Sequence, residues 1–387
     1  MKKRNVLFLA SWYPTRIHET SGNFNEKFAH TLSLVHNVFV LHVLADQNAT
    51  QNEEVVIREQ GQLKTIIIYF RKKERESIFD KAVKAYRYFK YYKKGFKLIC
   101  SKWERPEIVH NNVLFPVGLV ALYLKRKYRI PYISTEHWTG YLNYRAIKIS
   151  RARLFFTKMI ARSAKRICPV TAQLQQGIQE FGIHGNYEPV PNVVNKEYFY
   201  PADQSPTPET RFLHVSNCKE EHKNITGMLR AFDRLVEIHP NVSLQIITEE
   251  SINDLEHLIL QSGFKNRSNL IITGRQPAEK IGEAMRESNC FVLFSNFETF
   301  SVVIAEAWSC GIPALYSRCG GLTEINNPTF GIQVKPKDEI ALLEAMVAVV
   351  EERTVFSKNE ILKQAEEYSE VSVLKKFTSI YDSILAN

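Results

Sequence analysis

The sequence has no run approaching 18 consecutive apolar residues, so no segment is expected to cross a bilayer as a helix. Cysteine is scarce: the six residues, at 100, 168, 218, 290, 310 and 319, form no C-x-x-C pair and no metal-ligand spacing with the histidines. That excludes a disulfide scaffold and a zinc ribbon and points to a reducing, cytoplasmic compartment. The absence of a G-x-S-x-G elbow, a P-loop and an H-E-x-x-H motif removes hydrolase, kinase-like and metalloprotease readings. No two of the seven aspartates stand two apart, so the chain offers no Asp-x-Asp pair for a divalent cation, and no metal is expected. The basic start Met-Lys-Lys-Arg before the apolar run 6–10 imitates a signal peptide. That run is too short and no small-residue cleavage site follows, so it reads as a first buried strand.

What is present is a globular chain of 387 residues, 44% hydrophobic and 24% charged, a length that predicts two domains. The net charge of +10 is divided unevenly, +18 over residues 1–195 against −8 over 196–387. A basic half faces something anionic. Short apolar runs at 5–10, 38–45, 65–70, 107–111, 132–136 and 167–171 alternate with helical patterns. The rhythm restarts at 211–216, 243–248, 269–273, 290–295, 313–317 and 331–334, after a Pro-rich stretch with Pro189, Pro191, Pro201, Pro206 and Pro208. Alternation of this kind gives parallel sheets wound by helical crossovers, and the prolines mark a linker with its hinge at 191–205. The expected fold is α/β, with Rossmann-like domains at 1–195 and 196–370. A last helix at 371–387, with Val371, Leu374, Phe377, Ile380, Tyr381 and Ile384 at helical spacing, needs a surface to cover.

The most informative segment is 296–313. An apolar strand ends at Ser295, Glu298 follows in the loop, and a short helix runs from Ser301 to Gly311. Ser301 at the N-cap would leave the amides of Val302 and Val303 pointing outward as a diphosphate seat. Glu306, more than one turn further on, could accept both hydroxyls of a ribose, and Glu298 could meet sugar hydroxyls. Glu298, Glu306, Gly311, Pro313, Gly320, Gly321 and Glu324 together resemble the motif of the family-4 retaining glycosyltransferases of GT-B fold. The resemblance extends to the N-terminal loop, to Pro191-Asn192-Val193-Val194-Asn195 and to the turn 214–224, and hence to most of the chain.

The resemblance implies two Rossmann-like domains facing across a cleft, with the nucleotide-sugar donor held mainly by the second and the last helix, 371–387, returning to the first, the acceptor side. In the family the turn at 214–224 carries an arginine and a lysine that clamp the donor phosphates. Lys223 matches the lysine, whereas Ser216 or Asn217 stands where the arginine falls, and Arg275 in a neighbouring loop could replace it. His137, in Ile133-Ser134-Thr135-Glu136-His137, matches a histidine placed near the donor sugar. The first loop, from Trp12 to Phe24, would use Gly22 for close backbone approach to diphosphate or acceptor. Many members have a Gly-Gly pair here, and this chain has Gly22-Asn23.

Between Asp80 and Glu104 no acid occurs, while Lys81, Lys84, Arg87, Lys90, Lys93, Lys94, Lys97 and Lys102 recur mostly three or four apart among Tyr86, Tyr88, Phe89, Tyr91, Tyr92 and Phe96. Such a helix suits an anionic membrane surface or a lipid-linked acceptor, or else packs its aromatics on its own domain. Without an RNA-binding motif, nucleic acid is not an expected partner. The implied reaction moves a hexose-type sugar, with retention, from a UDP- or GDP-sugar to a glycan or lipid-linked glycan in surface polysaccharide assembly. A nucleotide-sugar epimerase of the same architecture and a non-catalytic nucleotide-sugar-binding protein are the alternatives.

Overall fold

The computed structural model describes all residues except 1, 20, 72–77, 144–146, 202–208, 250, 326 and 387, and all their side chains except those at 78–81 and 143. Pro206, Pro208 and the end of the 191–205 hinge, as well as the Lys81 side chain, lie outside the described residues. The chain divides into two compact units, Met1–Val193 with Val373–Asn387, and Val194–Ser372.

The first unit runs β1 (Asn5–Ala10), α1 (Asn23–Ser33), β2 (Asn37–Asp46), β3 (Glu53–Gln60), β4 (Leu63–Arg71), α2 (Ile78–Lys102), β5 (Ile108–Asn112), α3 (Gly118–Tyr128), β6 (Tyr132–Glu136), α4 (Arg151–Ser163), β7 (Arg166–Pro169) and α5 (Ala172–Glu180). Its sheet has the order β3-β4-β2-β1-β5-β6-β7, parallel except for β3, which pairs antiparallel with β4. Val6 to Ala10 are fully buried, as a strand covered by helices on both faces requires.

The second unit holds β8 (Thr210–Ser216), α6 (Glu220–Lys223), α7 (Ile225–Ile238), β9 (Val242–Thr248), α8 (Ile252–Ser262), β10 (Leu270–Thr273), α9 (Ala278–Arg286), β11 (Cys290–Leu293), α10 (Val302–Ser309), β12 (Ala314–Ser317), β13 (Gly331–Val334), α11 (Glu339–Val350) and α12 (Lys358–Glu366). Its order, β10-β9-β8-β11-β12-β13, is that of a dinucleotide-binding Rossmann sheet, and the parallel part of the first sheet, β4-β2-β1-β5-β6-β7, repeats it. All twelve expected strands are present within two residues of their expected bounds; β3 is additional.

The last helix, α13 (Glu370–Leu385), starts in the second unit and packs into the core of the first. Phe377 meets Phe28 edge-on at 5.7 Å between ring centres, and Asp382 pairs with Arg4 at 2.6 Å. The Tyr381 hydroxyl and the Nδ1 of buried His110 lie 2.7 Å apart, and Thr378 Oγ1 lies 2.9 Å from His36 Nε2.

The structure divides the basic stretch between two roles. Tyr91, Tyr92 and Phe96 are core residues of the first unit, so these aromatics serve packing. Lys94 pairs with Glu53, and Lys102 with Glu59, on β3. Among the described residues, no helix is long and apolar enough to cross a membrane.

Candidate active site

In a sheet of this order, ligands gather at the carboxyl ends of the two strands where the winding reverses. In the second unit these are β8 and β11. The β8 turn is shaped by a buried hydrogen-bond chain. Cys218 N–H donates to Ser216 Oγ at 2.9 Å, Ser216 Oγ lies 2.7 Å from His214 Nε2, and His214 Nδ1 lies 2.8 Å from the Val292 carbonyl. A carbonyl can only accept, so Nδ1 carries the proton and Nε2 accepts from the hydroxyl. Burial lowers the His214 pKa to about 4, which keeps the ring neutral. The turn after β8 is thereby tied to the adjacent strand β11. Cys218 takes a left-handed backbone, φ 51°, and the chain enters α6, at whose end Lys223 sits.

Lys223 Nζ meets Glu298 Oε1 in a close ion pair, and Ser295 Oγ donates to the same oxygen at 2.8 Å. Both charged side chains are largely buried, with 16% and 9% exposed. The two loops are also joined through the backbone, since Asn296 N–H donates to the His222 carbonyl at 2.8 Å. Glu298 is therefore a fixed acceptor with a cation beside it. Burial, and next the Glu298 charge, push the Cys319 thiol up to about 12, so it remains protonated and is inert as a nucleophile.

Gly320 completes this wall. It has φ 53°, and a Cβ there would lie 1.4 Å from the Glu298 carbonyl oxygen. Gly320→Ala is expected to displace the Glu298 loop and cost the second unit about 1–3 kcal/mol. Urea unfolding followed at Trp308 measures this; an unchanged midpoint would contradict it.

Ser301 is the N-cap of α10, but with φ 68° and ψ 80° it is left-handed and makes no side-chain cap bond. Its Oγ is buried without a protein partner. The expected capping role is thus corrected: with a left-handed backbone at the N-cap, the Ser301 side chain makes no bond to the amides that open α10. Val302 opens that helix and Glu306 is buried on it, about 7.5 Å along the axis from Ser301 at the usual rise. Asn217 Oδ1 accepts from Lys219 N–H at 3.4 Å. Arg275 is exposed in the loop after the edge strand β10, with β9 between that strand and β8.

In the first unit the winding reverses between β1 and β5. Gly22, φ 77°, is the N-cap of α1. A Cβ at Gly22 would lie 2.4 Å from the Trp12 carbonyl carbon, so the close approach it permits is to the chain's own backbone. His137 follows β6. Its ring is buried beside Phe24, at 4.5 Å between centres, and Phe28, at 5.8 Å. Its Nε2 has no protein partner, and burial lowers its pKa to about 3. Glu136 anchors this corner by accepting from the backbone N–H of His137 and Trp138, each at 2.9 Å, and from Leu114 N–H at 2.9 Å. Burial raises the Glu136 pKa against the pull of those three donors.

Asn112 was missed by sequence reasoning. It ends β5 between Ala10 and Thr135, and both polar atoms of its buried amide lack a protein partner. The signal available was the polar run His110-Asn111-Asn112 inside an otherwise apolar strand.

Residues 33–198 match the family described as Glycosyltransferase Family 4, and residues 199–369 match Glycosyl transferases group 1. An uncharacterized glycosyltransferase of Methanocaldococcus jannaschii is 28% identical over 60% of this chain and 62% of its own length, so the chain matches about three fifths of that relative. The sucrose-phosphate synthase of Thermosynechococcus elongatus superposes with a TM-score of 0.75 at 19% identity, over 99% of this chain and 100% of that one. HepE of Anabaena, solved with UDP and glucose, gives a TM-score of 0.70 at 15% identity, over 98% of this chain and 100% of that one. With both Rossmann-like units matched in sequence and the whole chain matched in fold, the chain belongs to the family-4, group 1 glycosyltransferases of GT-B fold.

Proposed function

We propose that this chain is a retaining glycosyltransferase that moves a hexose-type sugar from a UDP- or GDP-sugar to a glycan or lipid-linked glycan in surface polysaccharide assembly. The observation that carries this reading is the buried Lys223–Glu298 pair where the second sheet reverses, just before α10. Lys223 meets the donor diphosphate, the start of α10 seats it through the Val302 and Val303 amides, and Glu306 accepts the ribose hydroxyls. Glu298 orients the sugar. Support for the donor class comes from HepE, which was solved with UDP and glucose.

Lys223 supplies positive charge where the leaving diphosphate gains negative charge, the task a divalent cation performs elsewhere. Glu298, engaged by Lys223 and Ser295, serves as an acceptor of sugar hydroxyl hydrogens. Departure and attack on the same face of the sugar follow, with the leaving phosphate helping to take the acceptor proton. The six cysteines, all free, suit work on the cytoplasmic side, and a basic first unit suits a peripheral place on an anionic membrane.

Incubation with UDP- and GDP-hexoses, with and without lipid-linked glycan fractions, tests the reading. Release of nucleoside diphosphate that depends on acceptor and survives chelation of divalent metal by EDTA is expected; conversion of donor alone into its epimer would overturn it. His137→Ala is expected to leave nucleoside diphosphate affinity nearly intact while transfer collapses, because the nucleotide elements all belong to the second unit. Calorimetry paired with transfer rates decides this, and normal transfer by the variant would refute the role.

A further inference from the structure

The first unit carries an open groove of about 1020 Å³ between α2 and α3, reaching Met159 on α4. Its floor and walls are hydrocarbon and aromatic, including Phe89, Leu119, Val120, Tyr123 and Met159. Its polar lining is cationic: Lys84, Arg126 and Lys127. The Tyr88 hydroxyl, which also borders it, is already spent on Tyr92 at 3.3 Å. A smaller hollow of about 310 Å³, lined by Phe155, Lys158 and Arg162, shares Met159 and extends the same face. Phe155, which lines the smaller hollow, is 64% exposed.

Charge selects the occupant. From residue 81 onward, α2, α3 and α4 together hold fifteen lysines and arginines and no aspartate or glutamate. Among the described residues, Glu53 and Glu59 of β3 pair with Lys94 and Lys102 of α2, neither of which lines the groove. Lys127 lies 5.7 Å from the centre of the Tyr123 ring and Lys93 lies 5.2 Å from that of Phe89, so cations stand directly beside the apolar walls. An apolar patch of this extent marks an interaction site. Its lining offers cations at the edge and few polar groups to pair with a peptide backbone. We infer that the groove binds one hydrocarbon chain of a phosphate-bearing lipid, with the phosphate held by Arg126, Lys127 and Lys84. One wall of the groove includes Phe115 and Pro116, in the loop that follows β5. The inference goes beyond the proposed transfer reaction and does not depend on it, because binding is read with neither donor nor acceptor present.

Dodecyl phosphate below its micelle concentration is the probe, titrated into the full chain by calorimetry. Saturable binding is expected, with decyl phosphate weaker by about tenfold for the two methylenes lost. Inorganic phosphate and dodecyl maltoside, each lacking one half of the recognised chemistry, are expected to bind far more weakly. Ala85→Trp fills the groove from an exposed position, and Arg126→Glu/Lys127→Glu reverses its exposed edge. Each is expected to weaken dodecyl phosphate by about tenfold or more, with an unchanged melting temperature confirming the fold. Retained affinity in either folded variant overturns the inference, as does equal binding of dodecyl maltoside or inorganic phosphate. Binding to phosphatidylglycerol vesicles without binding of the monomeric probe, or binding of acidic peptides in its place, overturns it too.

Discussion

Lys223→Ala is expected to lower turnover on the order of a hundredfold or more, with a smaller loss of nucleoside diphosphate affinity. The reason is differential: negative charge on the departing diphosphate grows toward the transition state, so a cation aimed at it contributes more there than in the ground state. The same substitution leaves the largely buried Glu298 with only Ser295 as a side-chain donor among its described hydrogen bonds, so sugar orientation suffers as well. Lys223→Arg is not expected to restore activity, because a planar fork does not replace a compact ammonium in a short pair. Transfer rates at saturating donor, with calorimetric affinities for UDP and GDP, separate the two contributions. Near-normal turnover in Lys223→Ala would remove the residue from the mechanism.

The first unit should lose stability steeply below neutrality. Burial lowers His42 to about 4 and His110 and His137 to about 3, against about 6.5 in an unfolded chain. A histidine whose folded pKa is depressed stabilises the fold above the unfolded value, and that stability is lost as pH falls toward the folded value, because the unfolded chain then binds more protons. Between pH 7 and 5 each of the three contributes a loss of about 2 kcal/mol. Glu26 and Glu136, raised chiefly by burial, bind protons in the folded state and offset part of this. A net loss of several kcal/mol is expected, a large fraction of the stability of one domain. Urea unfolding followed at Trp12, Trp103 and Trp138 measures it, and a midpoint unchanged between these pH values would contradict it.

The fold was legible because buried parallel strands read as uninterrupted apolar runs, and their alternation with helices leaves few topologies. The strand β3 escaped because Glu53–Gln60 is a charged edge strand with only Val55, Val56 and Ile57 apolar in its middle. Its pairing with β4 through Gly61 and Gln62 is a tertiary fact. At the site, Glu298 and Glu306 were singled out by the family resemblance that the segment 296–313 carries. The meeting of Lys223 with Glu298 across 75 residues depends on which strands are neighbours. Ser301 shows the limit of local rules: serine before a helix predicts a side-chain cap, and a left-handed backbone cancels it. Asn112 was hidden for a different reason, since an asparagine in a strand reveals nothing until its amide is seen buried and unpaired.

The central claim is that the second unit seats a nucleoside diphosphate between the β8 turn and α10. Calorimetric titration of the whole chain and of Glu306→Ala with UDP and GDP tests it most directly. The account predicts saturable binding of one of the two by the wild-type chain, weakened about tenfold to a hundredfold in Glu306→Ala by loss of charge-assisted hydrogen bonds to the ribose. Binding of neither nucleotide, or equal affinity in Glu306→Ala, would contradict it.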